Sequence, residues 1–348
     1  MARATSHRTL LKKLARHDMA VDLGTANTLI YTVDDGIVLN QPSVVCFERH
    51  ATPCESTLAA VGSAAKQLLG RTPANLETVR PLQHGVIANV PAAQQMIRSF
   101  VDMACPRRLF GRRATFTICV PAGATNVERR AIREAAFAAG AASVHLIGEL
   151  LASAVGAGVP VASATASMVV DIGGGTTEVG MIAHGSVVCG GSARVGGDQF
   201  DLAIINHVRN VYGVMLGEQT AEHVKKTIGT ALRNAPVERM RATGRSLEDS
   251  LPRTVELTSH DVADALVVPL RHVIDAVRAV LETAPPELVT DVAETGIVLT
   301  GGGALLANLD ACLSAQLCVP VRVADEPMTC AVRGAGAAAS LLDEYAFD

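Results

Sequence analysis

Two stretches of this sequence combine residue types suited to gripping a phosphate. Asp22-Leu-Gly-Thr-Ala-Asn-Thr28 returns 149 residues later, counted from Asp22 to Asp171, as Asp171-Ile-Gly-Gly-Gly-Thr-Thr177, and each copy lies between two short apolar runs. Glycines and small hydroxyl residues let backbone N–H groups converge on an anion, because a larger side chain would block close approach. An aspartate closing the first run of each copy adds a carboxylate suited to Mg²⁺ held through water. A single D-x-G-x-x-x-T is ordinarily a plain hairpin. Its recurrence in a matching context is what points to a nucleotide. A third glycine cluster follows, in which Gly296-Ile-Val-Leu-Thr300 reads as a strand and Gly301-Gly-Gly-Ala-Leu-Leu306 is expected to open a helix. That order would aim free N–H groups and the positive helix end at an anion. Weak alone, the turn fits an adenosine and phosphate contact as the third member of the series.

The elements that must position these motifs alternate between strand and helix. Residues 19–33 and 167–182 each read as strand, tight turn and strand. Thr115–Val120 is a strand ended by Pro121, and Thr125-Asn-Val-Glu128 fits a capping box that starts a helix running to Gly140. Val144-His-Leu-Ile147 is a further strand, leading into a helix of small residues from Glu149 to Gly156. After a turn at Gly196-Gly-Asp198, helical spacing runs from Phe200 to Tyr212 and again over 218–231. Residues 234–257 are polar and irregular with some strand character, 259–283 form a long helix, and Pro285-Pro286 breaks the chain.

A chain of 348 residues suits two globular halves. Aromatics are only 3% and Trp is absent, so the 49% of hydrophobic residues must build cores from Val, Leu, Ile and Ala. Buried sheets flanked by Ala-rich helices are made this way. A net charge of −4 offers no basic surplus for nucleic acid. The eight cysteines show no C-x-x-C spacing, and Cys46, Cys119 and Cys330 sit in apolar runs, as reduced core residues of a cytosolic protein do. No apolar stretch reaches the roughly 18 residues that a spanning helix needs. Residues 1–17 carry five Lys or Arg and no acid, with Leu10, Leu11 and Leu14 on one helical face. They lack the layout of a secretory signal, and read either as a disordered basic tail or as a short membrane-surface helix.

The order of hairpin, connecting helix, second hairpin and T-G-G-G-A turn resembles the actin-like ATPase superfamily, and within it the MreB family of bacterial actins. The matching stretches include Asp22–Thr28, Gly36-Ile-Val-Leu-Asn-Gln-Pro-Ser-Val-Val45, Leu69-Gly-Arg-Thr-Pro73, Val127-Glu-Arg-Arg-Ala-Ile-Arg-Glu134, Asp171–Val179, Gly196-Gly-Asp-Gln-Phe-Asp-Leu-Ala-Ile-Ile-Asn206, Leu299–Leu306 and Met328-Thr-Cys330. The resemblance implies an α/β actin-like ATPase fold, with duplicated ribonuclease H-like lobes and ATP with Mg²⁺ in the cleft between them. Lobe I would span 18–150 with a small subdomain near 45–78, and lobe II 151–330 with one near 194–257. Residues 331–348 would form a C-terminal helix returning to lobe I. Carried over by position, Thr25, Ala26 and Asn27 would contact phosphates from the first hairpin, and Gly173, Gly174, Gly175 and Thr176 from the second. Glu222 and Lys225 match the family's nucleotide-side helix, and Gly301, Gly302, Gly303 and Ala304 its adenosine turn. Asp22 and Asp171 would position Mg²⁺ and its waters, and Asp171→Ala is expected to abolish hydrolysis with little loss of fold. Glu149 occupies the position of the water-orienting glutamate, with the Thr176 hydroxyl assisting. Two stretches depart from the pattern. Gly148-Glu149-Leu150-Leu151 replaces Glu-Glu-Pro-Met, which bears on the hydrolysis rate. Gln83-His84-Gly85 replaces Lys-Asp-Gly. A histidine there is similar to eukaryotic actin, where it lies near the phosphates; a solvated turn histidine is the other reading.

Leu109 and Phe110 stand between the basic pairs Arg107-Arg108 and Arg112-Arg113, in a linker where some family members carry a membrane-inserting loop. The alternative is a solvated loop whose Leu and Phe fold back on the core. Each basic residue contributes about 1 kcal/mol beside an anionic bilayer. Two weak anchors repeated along a polymer would hold it by avidity. The resemblance therefore implies a slow ATPase forming paired filaments on the inner face of the cytoplasmic membrane. It would organise peptidoglycan synthesis and rod shape with partners such as MreC, MreD and RodZ. A small-molecule kinase of the superfamily would need an acceptor-binding insertion and a base, and no motif supplies them. A chaperone ATPase would need a substrate domain after the nucleotide domain. A cell-division or plasmid-segregation actin differs in its partners more than in its chemistry.

Overall fold

A computed structural model describes residues 18–49, 57–105 and 114–342. The candidate membrane residues Leu10, Leu11, Leu14, Leu109 and Phe110 lie outside them. Contacts divide the chain into two units: Met1–Leu68, Thr72–Gly156 and Ala331–Asp348 in the first, Leu69–Arg71 and Ala157–Cys330 in the second.

The first unit is built on a sheet of β1 (Met19–Leu23), β2 (Asn27–Thr32), β3 (Gly36–Pro42), β4 (Thr115–Val120) and β5 (Ser143–Gly148), ordered β5-β4-β1-β2-β3. The first three strands are antiparallel neighbours, while β4 runs parallel to β1 and β5 parallel to β4. The central strands read as continuous apolar runs because both faces of the sheet are covered. Met19, Val21 and Leu23 pack on one side with Phe100 of α1 (Val90–Ala104) and Ile132 of α2 (Asn126–Ala138). Ala20 and Cys119 pack on the other with Ala152 of α3 (Glu149–Gly156). The capping box is present: the Glu128 N–H donates to Thr125 Oγ1 at 3.3 Å and the Thr125 N–H to Glu128 Oε2 at 2.7 Å.

The second unit repeats the design. Strands β6 (Ser167–Ile172), β7 (Thr177–Ala183), β8 (Ser186–Ala193), β9 (Ile297–Thr300) and β10 (Val321–Val323) are ordered β8-β7-β6-β9-β10, with the same antiparallel and parallel pairings. Between β8 and β9 lie α4 (Gly197–Tyr212), α5 (Glu218–Ile228), α6 (Ser259–Thr283) and a small sheet of Val214–Met215, Arg239–Ser246 and Pro252–Thr258. Residues 234–257 are thus more regular than their polarity suggests. Ala242 points inward while Arg239, Arg241 and Arg245 are exposed, a period of two concealed by the arginines. Pro285-Pro286 does more than break the chain, because Pro286 opens a helix to Thr295, where a missing N–H costs nothing. Helix α7 (Cys330–Leu342) then packs in the first unit. A Cβ at Gly334 would strike the Ala152 carbonyl oxygen of α3 and lie 2.7 Å from the Gly156 nitrogen, so glycine sets how closely the two helices approach. Cys46, Cys119 and Cys330 are buried.

Candidate functional site

In the first unit, β1 and β2 pair as far as Leu23 and Thr28, leaving Gly24–Asn27 as the turn. A Cβ on Gly24 would lie 2.5 Å from the Asn27 carbonyl oxygen, so the turn closes only on glycine. Ser43, directly after β3, braces it. Its hydroxyl donates to the Gly24 carbonyl at 2.7 Å, its N–H donates to the Ala26 carbonyl at 2.9 Å, and Thr28 Oγ1 lies 2.9 Å from its Oγ. The Gly85 N–H donates to Thr25 Oγ1 at 2.9 Å. Gly85 and the exposed His84 have φ of +76° and +50°, both left-handed, in a tight turn between two short strands. With a lone pair of its oxygen committed, the Thr25 hydroxyl keeps its own proton for a further acceptor. Asn27 Nδ2 donates to Asn40 Oδ1 at 2.7 Å. Asp22 is half-buried at the end of β1, and the half-buried Glu149 opens α3. Leu150, one of the two departures beside Glu149, is buried in the core.

The second hairpin leaves Gly173–Thr176 as its turn, closed by the Gly173 N–H on the Thr176 carbonyl at 2.8 Å. Thr177 stands where Thr28 stands in the first copy, and its hydroxyl likewise donates to a residue beyond the third strand, the Val195 carbonyl at 2.8 Å. The start of α4 then docks on the turn, with the Gly197 and Asp198 N–H groups donating to the Gly173 and Gly174 carbonyls at 3.0 and 2.8 Å. A Cβ on Gly196 would lie 2.5 and 2.7 Å from those same oxygens. The carbonyls of the turn therefore face α4. Asp171, 5% exposed, accepts a hydrogen bond on Oδ2 from the Thr300 hydroxyl at 2.8 Å across the β6–β9 pair. Thr300 is wholly buried, so Asp171→Ala would strand its hydroxyl at a cost of about 1–3 kcal/mol, more than the sequence suggests.

Gly301 to Ala304 follow β9 directly, but they do not open an α-helix. Gly302–Leu305 form one 3-10 turn, and the next α-helix starts at Leu309, after Asn308 at φ +58°. Three successive glycines disfavour helix, and Leu306, extended at φ −61° and ψ 124°, ends the turn after Gly301 has capped it from outside. On α5, Lys225 Nζ lies 2.8 Å from both Asp201 Oδ1 and the Gly197 carbonyl of α4, while Glu222 pairs with Lys226 at 2.7 Å. Ser43, Gly85, Asp201 and Thr300, to which motif reading gives no role, each contact a candidate residue: Ala26, Thr25, Lys225 and Asp171 respectively. Ser43 and Thr300 each follow or close a neighbouring strand, which gives no local signal.

Among the described residues no group of three or more His, Cys, Asp or Glu is placed to hold a metal. Asp22 and Asp171 each place a carboxylate at the end of a strand in their own unit. A lone carboxylate of this kind suits Mg²⁺ that keeps most of its waters, not a protein cage. Among the described residues no helix is long and apolar enough to cross a membrane.

A sheet of this order, repeated with its braced hairpin, defines an actin-like protein. MreB 5 of Spiroplasma citri bound to AMPPNP matches with a TM-score of 0.88 at 31% identity, over 94% of this chain and 97% of that one. MamK in a double helical filament shares the fold, with a TM-score of 0.76 at 20% identity. The chain belongs to the MreB/Mbl protein family, whose model matches residues 16–346. It is 48% identical over 342 residues to the cell shape-determining protein MreB of Escherichia coli strain K12, covering 97% of this chain and 99% of that one. It is 39% identical over 327 residues to the cell shape-determining protein Mbl of Bacillus subtilis strain 168, covering 94% and 97%.

Proposed function

We propose that this chain is an ATP-binding, slowly hydrolysing protein that polymerises into filaments on the inner face of the cytoplasmic membrane and helps set rod shape by organising peptidoglycan synthesis. The observation that carries the reading is the duplicated hairpin: two glycine turns at equivalent places in equivalent sheets, within a chain matched by its family nearly end to end. One relative of known structure, MreB 5 of Spiroplasma citri, is seen bound to AMPPNP and bound to ADP.

On this reading Thr25, Ala26 and Asn27 hold phosphates from one turn, and Gly173, Gly174, Gly175 and Thr176 from the other. Glu222, Lys225 and Gly301–Ala304 receive the nucleoside side. Asp22 and Asp171 hold Mg²⁺, which would neutralise phosphate charge during hydrolysis. Glu149 orients the attacking water, with the Thr176 hydroxyl assisting. Leu10, Leu11, Leu14, Leu109 and Phe110 attach the filament to lipid, and wall-synthesis proteins of the MreC, MreD and RodZ type are its partners.

Purified protein with Mg-ATP and anionic liposomes should give lipid-bound filaments by electron microscopy and release phosphate slowly. Failure to form filaments over a range of salt and protein concentrations would refute the filament role. In cells, a tagged copy should lie along the lateral wall, whereas midcell placement would assign it to division.

A further inference from the structure

Lys225 is anchored by a different helix from the one that carries it. Its ammonium donates to the Gly197 carbonyl and forms an ion pair with the Asp201 carboxylate, both on α4 and both at 2.8 Å. The Lys225 and Asp201 side chains are 14% and 15% exposed, whereas Lys226 on the same helix is 64% exposed. The anchor point is itself tied to the second hairpin, because the Gly197 N–H donates to the Gly173 carbonyl. A Cβ at Gly197 would lie 3.3 Å from the Lys225 ammonium and 3.8 Å from Gly174 Cα, which brings the ammonium within about 7 Å of the turn. We propose that Asp201 is the positioning residue for Lys225, holding its ammonium against the Gly173–Thr176 turn where it meets the nucleotide. The proposal rests on the nucleotide reading of that turn.

The energetics favour a role beyond folding. Burial pushes the Asp201 carboxyl up to about 6 even though Lys225 pulls it down, and Glu222 and Asp198 add further negative charge. Helix α6, also packed on α4, brings Asp261 to Tyr212 at the far end of α4. An ionised carboxylate kept where burial opposes it is poor value as a structural device, since a neutral residue would fit at lower cost. Buried charge retained beside an anion-binding turn is what a ligand-directed lysine requires. A four-carbon side chain carries much rotamer freedom, and a fixed carboxylate removes it before the nucleotide arrives.

The test uses the full chain and a fluorescent ATP analogue with Mg²⁺, comparing wild type with Asp201→Asn, Asp201→Glu, Lys225→Ala and the Asp201→Asn/Lys225→Ala double variant, each checked by thermal unfolding. Asp201→Asn should weaken binding by about tenfold, the scale of one charge-assisted hydrogen bond, without lowering the unfolding midpoint. Asp201→Glu should restore most of the affinity, and Asp201→Asn should cost nothing further once Lys225 is alanine. Wild-type affinity in Asp201→Asn beside weak binding by Lys225→Ala would overturn the proposal and leave the nucleotide reading intact, as would additive losses in the double variant. A wild type that binds no nucleotide would sink the reading of the turn, and this proposal with it. If Asp201→Asn fails to fold, Asp201→Glu decides: affinity near wild type supports the proposal, and affinity as low as that of Lys225→Ala overturns it.

Discussion

Replacing Gly301 and Gly302 one at a time separates the demands of the fold from those of the site. Gly301 has φ +81° and ψ 167°, a region closed to side-chain-bearing residues and costing about 1–3 kcal/mol to enforce. A Cβ there would also strike the Ile172 carbonyl oxygen and lie 2.6 Å from Asp171 Oδ1, and relieving such overpacking costs about 1–3 kcal/mol more. Gly301→Ala should therefore lose about 2–6 kcal/mol, a large part of the 5–15 kcal/mol that typically holds a domain together. At Gly302 the nearest atom to a new Cβ is the Met328 methyl carbon at 3.8 Å, an ordinary contact. Gly302→Ala should leave stability within about 0.5 kcal/mol. Because Gly302 is exposed on the proposed adenosine turn, its new methyl should instead weaken ATP binding. Urea titration followed by circular dichroism reads the first effect, and equilibrium binding of a fluorescent ATP analogue reads the second. A Gly301→Ala protein with the wild-type urea midpoint, or a Gly302→Ala protein destabilised as much as Gly301→Ala, would refute the reasoning.

Three other outcomes follow from the same geometry. Asp171→Asn keeps an oxygen acceptor for the buried Thr300 hydroxyl, so it should hold its stability better than Asp171→Ala by about 1–3 kcal/mol, while both lose phosphate release; full turnover by the Asn variant would remove Asp171 from the site. Because the Asp201 pKa is raised in the folded state from 3.8 to about 6, its carboxyl favours folding most below pH 3.8, and that contribution fades as pH rises through 6. The whole effect is roughly 3 kcal/mol, about half of it between pH 5 and 7, so urea midpoints of wild type and Asp201→Asn should diverge over that range, and parallel profiles would contradict it. Gly334→Ala should push α7 from α3 and cost about 1–3 kcal/mol or more, measured as a drop in the unfolding midpoint; an unchanged midpoint would mean the two helices pack less closely than described.

The duplication was legible because its signals are local. Each glycine turn lies within a few residues of its aspartate, and Thr125-Asn-Val-Glu128 announces its helix by short-range capping. What stayed hidden was set by strands far apart in sequence. Thr300 meets Asp171 only because β9 lies beside β6, and Gly85 meets Thr25 across 60 residues of chain. Regular structure was also missed where polarity hid the period, as in Arg239–Ser246, where exposed arginines alternate with small inward residues. The Gly301 turn shows the opposite error. A strand followed by glycines and a leucine-rich run reads as a helix start, but the single turn that follows Gly301 stops at the extended Leu306, and the α-helix waits until Leu309.

The two hairpins reach the same shape by different chemistry, and this predicts different tolerance to substitution. The second turn is rich in glycine and is tied by the backbone N–H groups of α4, so what it offers a ligand is mainly main chain. The first turn carries side chains and is braced by the Ser43 hydroxyl and by the Gly85 N–H on the Thr25 hydroxyl. The bracing of the first turn therefore depends on side-chain oxygens, and the Thr25 oxygen is one of them. Thr25→Ser keeps that oxygen and should bind nucleotide as the wild type does. Thr25→Val keeps the volume, removes the acceptor and leaves the Gly85 N–H without its partner, since Thr25 is only 8% exposed. The loss should be about 1–3 kcal/mol of stability, together with the hydroxyl donated to phosphate. Calorimetric titration with ATP and urea unfolding of the two variants measure both effects. If valine matched serine in affinity and in midpoint, the Thr25 hydroxyl would be a bystander, and the first turn would hold phosphate through its backbone.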